Sequence, residues 1–153
     1  MTKEEFKERY EFNVRTDRIG SGAFGTVYKA YDNLRDQWKA IKVGEVKFFS
    51  NKEFSLISEF DITKNLPVHK NVANYESVYQ FEETNGLFDY AIMQYYPEGN
   101  LKQLLDKETL DQNQKIDIAN GFINGIHFLH TNNVKKIIHR DLKPSNILVA
   151  KRG

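Results

Sequence analysis

The segment His139-Arg140-Asp141-Leu142-Lys143-Pro144-Ser145-Asn146 carries the densest chemistry of this 153-residue sequence. It packs an acid, two bases and an amide into consecutive positions, between a helical pattern that ends at Asn132-Asn133 and an apolar run over residues 147–150. Such a concentration of polar groups between two regular elements predicts a functional loop.

A glycine-rich stretch lies far upstream, Gly20-Ser21-Gly22-Ala23-Phe24-Gly25-Thr26-Val27, and it fits the pattern G-x-G-x-x-G-x-V. Missing side chains let backbone N–H groups come close to phosphate oxygens. The residues from Thr26 to Tyr31 are β-branched and aromatic and predict a strand, whereas a dinucleotide-binding fingerprint requires a helix there. The pattern favours a phosphate-covering hairpin, and an ordinary glycine-rich hairpin remains the alternative.

A lysine downstream of this hairpin is predicted to face the same way. In Lys39-Ala40-Ile41-Lys42-Val43, strand alternation places Ala40 and Lys42 on one face and Ile41 with Val43 on the other. An inward ammonium group requires a counter-charge. The sequence must therefore supply an acid nearby.

The next helix is predicted to supply that acid. Ser50-Asn51-Lys52-Glu53 fits a capping box, and the apolar stripe Leu56, Ile62, Leu66 continues until Pro67. Glu59 lies on this stripe, whereas Glu53 belongs to the cap and Asp61 lies off the stripe. We therefore expect an ion pair between Lys42 and Glu59.

The two halves of the chain differ in pattern. Short strands dominate from Phe12 to Met93, with the hairpin signal Asn85-Gly86 before the last of them, and helices dominate from Asn100 onward. A second capping box at residues 111–114 opens a helix with apolar residues from Ile116 to Leu129. The pattern predicts an α+β chain with a polar connector, residues 95–99, between a strand-rich and a helical part.

Taken together, these segments resemble the eukaryotic-type (Hanks-type) serine/threonine protein kinases, in the family's order and approximate spacing from Phe12 to the end. The resemblance implies a two-lobed α+β fold. Residues 1–11 are then an N-terminal extension and residues 12–93 a small lobe of five antiparallel strands plus one helix. Residues 94–99 form the hinge, and residues 100–153 begin a helical large lobe that stops after the catalytic loop.

The same resemblance implies the roles of the loop residues. Asp141 is the catalytic base for a serine or threonine hydroxyl, Lys143 neutralises charge on the transferred phosphoryl group, and Asn146 binds Mg²⁺. Lys143 with Pro144 is the serine/threonine form of this loop. His139 and Arg140 are expected to support the loop rather than to take part in proton transfer.

The resemblance also implies an ATP site. The glycine loop covers the nucleotide, and Lys42 binds the α- and β-phosphates while Glu59 holds the lysine in place. Ile19, Val27 and Ala40 form the walls of the adenine pocket, and Met93 is the gatekeeper. The backbone from Gln94 to Tyr96 is the hinge, and Asn100 contacts the ribose. The residues expected to contact or organise ATP are Ile19, Gly20, Ser21, Gly22, Ala23, Phe24, Gly25, Val27, Ala40, Lys42, Glu59, Met93, Gln94, Tyr96 and Asn100.

The composition limits the classes of binding partner that the sequence predicts. There are 22 Lys and Arg against 21 Asp and Glu, and no block of like charge predicts nucleic-acid or membrane binding. The sequence has no cysteine, no signal-peptide pattern and no apolar span of membrane length, and we expect a cytoplasmic protein. ATP and a protein with a serine or threonine acceptor are the expected partners.

Asp-Phe-Gly, the family's second metal-binding motif, does not occur in these 153 residues. We therefore expect this chain by itself to bind nucleotide without transferring phosphate, and to self-associate through the apolar helix face from Ile116 to Leu129. A non-catalytic, kinase-derived interaction or nucleotide-binding module is the alternative. A small-molecule phosphotransferase is disfavoured by Lys143-Pro144.

Overall fold

The computed structural model describes residues 1–150, which form two compact units. The first unit comprises Met1–Lys64 and Asn74–Tyr95, and the second comprises Asn65–Ala73 and the chain from Tyr96 onward. The division after Tyr95 falls inside the predicted connector. The segment 65–73, which the sequence pattern assigns to the small lobe, packs with the second unit.

The first unit contains all eight strands of the described residues and two short helices. In chain order its elements are α1 (Lys3–Arg9), β1 (Tyr10–Glu11), β2 (Arg18–Gly22), β3 (Gly25–Asp32), β4 (Gln37–Glu45), β5 (Lys47–Phe49), β6 (Lys52–Phe54), α2 (Leu56–Thr63), β7 (Tyr75–Glu83) and β8 (Gly86–Gln94). The second unit contains α3 (Leu101–Lys107), α4 (Gln112–Thr131) and a 3₁₀ turn, Pro144–Asn146.

One antiparallel sheet organises the first unit. Its strands follow the order β1-β3-β4-β8-β7, with β2 paired to β3. The five longer strands and α2 confirm the predicted strand-rich lobe, and β1 adds a two-residue edge. The β7–β8 hairpin turns at the predicted Asn85-Gly86, where Gly86 takes a positive φ of 149°.

The two faces of this sheet have different roles. The register pairs Val27 with Lys42 and Ala40 with Met93, so these four side chains share one face. Ile41, fully buried, lies on the opposite face, as the alternation predicts. The face that carries Lys42 therefore lies opposite the apolar core around Ile41.

Helix α1 covers the apolar face. Phe6 is 3% exposed, and its ring lies 5.2 Å from the ring of Tyr90 and 5.3 Å from that of Phe81. Thr2 and Glu5 form a capping box at the start of the helix. The segment expected to be an N-terminal extension is thus part of the first unit's core.

The predicted capping box at Ser50 is wrong. Ser50 and Asn51, with φ of 48° and 63°, form the turn between β5 and β6, a hairpin that precedes α2. The helix begins later, at Leu56, because Ser55 accepts a hydrogen bond from the Ser58 backbone and is the actual N-cap. It ends at Thr63, before the predicted limit at Pro67.

The second unit is built around α3 and α4. The capping box at Asp111 and Gln114 is present, as predicted, and opens the 20-residue helix α4. Leu104, Leu110 and Val149 form the buried cluster of this unit. The segment 65–73 packs against α4, where the rings of His69 and Phe128 stack at 4.6 Å.

Candidate functional site

The glycine-rich stretch forms a hairpin between β2 and β3. Gly22 pairs with Gly25, so Ala23 and Phe24 form the tip. A side chain at Gly25 would collide with the carbonyl oxygen of Val43, whereas one at Gly22 would meet nothing within 4 Å. Gly25 is therefore required by packing, while the absence of a side chain at Gly22 leaves open space beside the backbone.

Lys42 lies on β4 next to this hairpin and bonds to a hydroxyl group. Its Nζ donates to the hydroxyl of Tyr75 at 3.2 Å, and that hydroxyl donates to Oε1 of Glu59 at 3.2 Å. Among the ion pairs of residues 1–150, none joins Lys42 directly to Glu59. The expected ion pair is thus replaced by a bridge, because a tyrosine occupies the space between the two charges.

Burial and charge act together on Tyr75. Its side chain is half-buried, and burial, followed by the negative charge of Glu59 and its hydrogen bond, raises the pKa of Tyr75 far above the usual value. The hydroxyl therefore keeps its proton at physiological pH. Sequence patterns missed this residue, because nothing in the order of residues places Tyr75 between Lys42 and Glu59.

The helix that carries Glu59 is anchored to the sheet by a second residue that sequence patterns missed. Asp89 on β8 has no exposed surface, and its Oδ2 accepts a hydrogen bond of 3.1 Å from the backbone N–H of Ile57. Its other oxygen accepts from Gln80 at 2.9 Å. A carboxylate at a helix N-terminus satisfies a backbone donor and complements the helix dipole, so Asp89 fixes the position of α2.

Ile19, Ala40, Met93 and Gln94, which are expected to contact ATP, lie on strands β2, β4 and β8. Ala40 is 4% exposed, Met93 is half-buried beside it, and Ile19 is 39% exposed. Gln94 ends β8. In the second unit, Tyr96 is half-buried, and Asn100 is the N-cap of α3, with its Oδ1 accepting from Gln103 at 2.9 Å.

The loop that begins at His139 brings its three predicted catalytic residues together. Nδ2 of Asn146 donates to the backbone oxygen of Asp141 at 2.8 Å and to its Oδ2 at 3.1 Å. Nζ of Lys143 lies 3.4 Å from the same Oδ2. Neither bond uses Oδ1 of Asn146, the hard oxygen that a magnesium ion prefers.

Local backbone geometry holds this loop. Arg140 has a positive φ of 68°, which is rare for a residue with a side chain, and the next N–H, that of Asp141, donates to Nδ1 of His139 at 3.2 Å. The 3₁₀ turn from Pro144 closes with a hydrogen bond of 2.9 Å from the Asn146 N–H to the Lys143 oxygen. His139 thus bonds to the backbone of the loop through its Nδ1.

Comparison with known protein families matches residues 13–153 to the protein kinase domain. The chain belongs to the protein kinase domain family. The match begins after α1, so the helix that completes the first unit's core lies outside the matched residues.

Named relatives of this kinase domain include serine/threonine kinases. It is 33% identical, over 93% of its length, to a probable serine/threonine-protein kinase of Dictyostelium discoideum, and 31% identical, over 90%, to the serine/threonine-protein kinase ste20 of Aspergillus fumigatus. It is 35% identical, over 86%, to a leucine-rich repeat receptor protein kinase of Arabidopsis thaliana. The chain spans 21%, 16% and 11% of the lengths of these relatives. The prediction of a serine/threonine-type kinase domain is confirmed at the level of family.

Membrane-spanning helices and metal-binding clusters are both absent from the described residues. No helix within residues 1–150 combines the length and the apolar character needed to cross a membrane. Over the same residues, no group of three or more His, Asp or Glu side chains forms a ready-made metal site.

Proposed function

We propose that this kinase domain binds ATP on the lysine-bearing face of its sheet and contributes the catalytic loop for transfer of the γ-phosphate to a protein serine or threonine. One observation carries the proposal: the ammonium of Lys42 lies beside the glycine hairpin, bonded to a neutral hydroxyl instead of a carboxylate. An ammonium with only a neutral partner retains its full charge for phosphate oxygens. The open space at Gly22 leaves room for those oxygens.

The adenine ring is assigned to the apolar residues on the same face. Val27 and Ala40 flank Lys42 in the register, and Met93 pairs with Ala40. The small side chain of Ala40 leaves room for a flat ring, and the backbone from Gln94 to Tyr96 supplies polar groups in the proposed hinge. Ile19 is assigned to the wall of the same pocket and Asn100 to the ribose.

The phosphoryl-transfer step is assigned to the residues of the catalytic loop. Asp141, with its Oδ2 beside Lys143, accepts the proton of the attacking hydroxyl, and Lys143 offers its positive charge to the transferred phosphoryl group. Asn146 holds Asp141 through Nδ2 and offers its Oδ1 to Mg²⁺. The metal ion, when bound, neutralises charge on the phosphates.

Further partners and location belong to the same proposal. A protein acceptor follows from the serine/threonine form of the loop, Lys143-Pro144. A cytoplasmic location is proposed because a sequence without cysteine suits a reducing compartment.

Calorimetry with MgATP tests the nucleotide site on the 153-residue chain. We expect Lys42→Met and Gly22→Asp each to weaken binding at least tenfold, since each acts where phosphates are proposed to bind. Lys47→Met, on the exposed β5–β6 hairpin, is the matched control and should leave binding unchanged. Thermal melts should be unaltered for Gly22→Asp, because a Cβ atom added there has no protein atom within 4 Å. Equal affinity of parent and both site variants would refute the proposed phosphate site.

A further inference from the structure

We propose that Tyr75 is a positioning residue of the nucleotide site, whose hydroxyl links Glu59 on α2 to Lys42 in place of a direct ion pair. The inference rests on the proposed function, because it takes Lys42 as the phosphate-binding lysine. Two hydrogen bonds in series carry it, from Lys42 Nζ to the hydroxyl and from the hydroxyl to Glu59 Oε1, each 3.2 Å long.

The chemistry of the three groups fits this order. An ammonium group only donates hydrogen bonds and a carboxylate only accepts them, whereas a phenol does both at once. The Tyr75 oxygen accepts from Lys42 while its proton points to Glu59. A phenylalanine of the same shape can do neither, so the hydroxyl alone is what connects the two charges.

An irregularity in the sheet turns Tyr75 toward Lys42. On β7, Ser77 pairs with Ile92, yet Tyr75, two residues earlier, pairs with the very next residue of β8, Met93. Glu76 is therefore an extra residue, a bulge that re-aims the neighbouring side chains. Without the bulge, position 76 would occupy the Lys42 face and Tyr75 the opposite face.

The extra residue has its own partner, which fixes the bulge. Glu76 Oε1 lies 2.5 Å from Nζ of Lys39, and Lys39 is 6% exposed. Lys39 and Lys42 lie on opposite faces of β4, so the bulge directs Glu76 to one lysine and Tyr75 to the other. Successive residues of β7 thus bind two lysines on the two sides of the sheet.

The bridge has a functional consequence. Glu59 is exposed near the start of a helix of eight residues, and its hydrogen-bonded connection to Lys42 runs through the Tyr75 hydroxyl. Any movement of α2 is transmitted to the lysine through a single hydroxyl. Lys42 meanwhile keeps a neutral partner, so its charge remains available to an anionic ligand.

The first test detects the bridge without nucleotide. The ¹³Cζ resonance of Tyr75, assigned with Tyr75→Phe in the 153-residue chain at neutral pH, reports the bonding of its hydroxyl. We expect Glu59→Gln and Lys42→Met each to shift it. Asp61→Asn, on the same helix and paired with Lys64 at 2.6 Å, is the matched control and should not. A Tyr75 resonance that is indifferent to Glu59→Gln overturns the proposal.

The second test measures positioning by calorimetry. Tyr75→Phe should weaken ATP binding about three- to tenfold, the usual effect of one lost hydrogen bond, and leave adenosine binding unchanged. A general loss of structure would weaken the binding of both ATP and adenosine. Tyr79→Phe removes a hydroxyl from the opposite face of the sheet, and its ATP affinity should equal that of the parent.

A double-mutant cycle separates the bridge from a direct pair. Glu59→Gln should weaken ATP binding in the parent and have no further effect in the Tyr75→Phe background, because Glu59 acts through the hydroxyl. Additive effects overturn the positioning role. If Lys42→Met weakens ATP binding and Tyr75→Phe does not, the positioning role of Tyr75 is wrong and the phosphate site stands. If Lys42→Met binds ATP as tightly as the parent, the proposed phosphate site itself is wrong.

Discussion

Arg9 donates two hydrogen bonds to Asp32, one from Nε at 2.9 Å and one from Nη2 at 2.8 Å, and so ties the end of α1 to the end of β3. The Asp32 side chain has no exposed surface, and it also accepts from the backbone N–H groups of Leu34 and Arg35. The bond from Arg9 lowers the pKa of Asp32, although burial acts in the opposite direction. The helix outside the matched kinase residues is thus joined to the sheet by a fully satisfied buried carboxylate.

Replacing Arg9 should therefore destabilise the first unit. Arg9→Met leaves Asp32 buried without its cation, which typically costs about 3–5 kcal/mol. Arg35→Met is the control, because Arg35 is largely exposed and its 3.7 Å pair with Glu76 should contribute at most about 1 kcal/mol. Denaturant unfolding monitored by Trp38 fluorescence measures both. Equal, small losses would show that the Arg9–Asp32 pair does not stabilise the fold.

The same pair predicts an acid dependence. The folded pKa of Asp32 is lowered, so the unfolded chain binds more protons, and stability rises with pH through that range. The contribution of Asp32 is present above its unfolded pKa of about 4 and is lost as the pH falls through the folded value. Thermal melts of the parent and of Arg9→Met between pH 2 and pH 7 should give melting temperatures that converge at the acid end. Curves that stay parallel would contradict this assignment.

The sequence predicts those features that depend on neighbouring residues alone. Alternation places Ala40 and Lys42 on one face, and Asn85-Gly86 marks a hairpin, because both follow from local geometry. The capping box at Asp111 is found for the same reason. The Thr2–Glu5 box is an equally local signal that could have located α1.

Other features depend on distant contacts. The pattern Ser50 to Glu53 matches a capping box, yet the strands β5 and β6 pair with one another and leave Ser50 in a turn. The Tyr75 bridge requires a bulge in β7 and the placement of α2 by Asp89. Neither is encoded in the spacing of Lys42 and Glu59, which is why a direct ion pair was the natural expectation.

Gly125 on α4 should be intolerant of substitution. A methyl group there would lie 2.5 Å from the backbone oxygen of Asn71, so Gly125→Ala must displace the segment 65–73. Overpacking of this kind costs about 1–3 kcal/mol. Gly121→Ala is the control, because its methyl group approaches only the Asn71 side-chain amide, at 3.0 Å. Faster hydrogen exchange in α4 is expected for Gly125→Ala alone, and unchanged exchange would refute the packing role.

The second unit exposes apolar side chains that should promote self-association. Ile123 is 59% exposed and Ile116 is 46% exposed on α4. Ile123→Lys should therefore reduce the proportion of oligomer in sedimentation velocity runs at high protein concentration. Leu34→Lys, at a turn residue of the first unit that is 73% exposed, is the matched control. If Leu34→Lys reduces association as much, or Ile123→Lys does not, the α4 face is not the contact.

Phosphate transfer by the 153-residue chain is expected to be undetectable even though Asp141, Lys143 and Asn146 converge. Protein kinases hold their metal ions with the catalytic-loop asparagine and the aspartate of Asp-Phe-Gly, and this sequence contains no such tripeptide. Removing one well-placed group that stabilises transition-state charge commonly costs about a hundred- to a thousandfold in rate. Of these two metal ligands, the 153-residue polypeptide used in the assay supplies only Asn146. The assay combines the chain with labelled ATP, Mg²⁺ and a basic protein acceptor, with Asp141→Asn as the control. Robust labelling of serine or threonine that disappears in Asp141→Asn would show that Asn146 and the phosphates alone hold the metal well enough for catalysis.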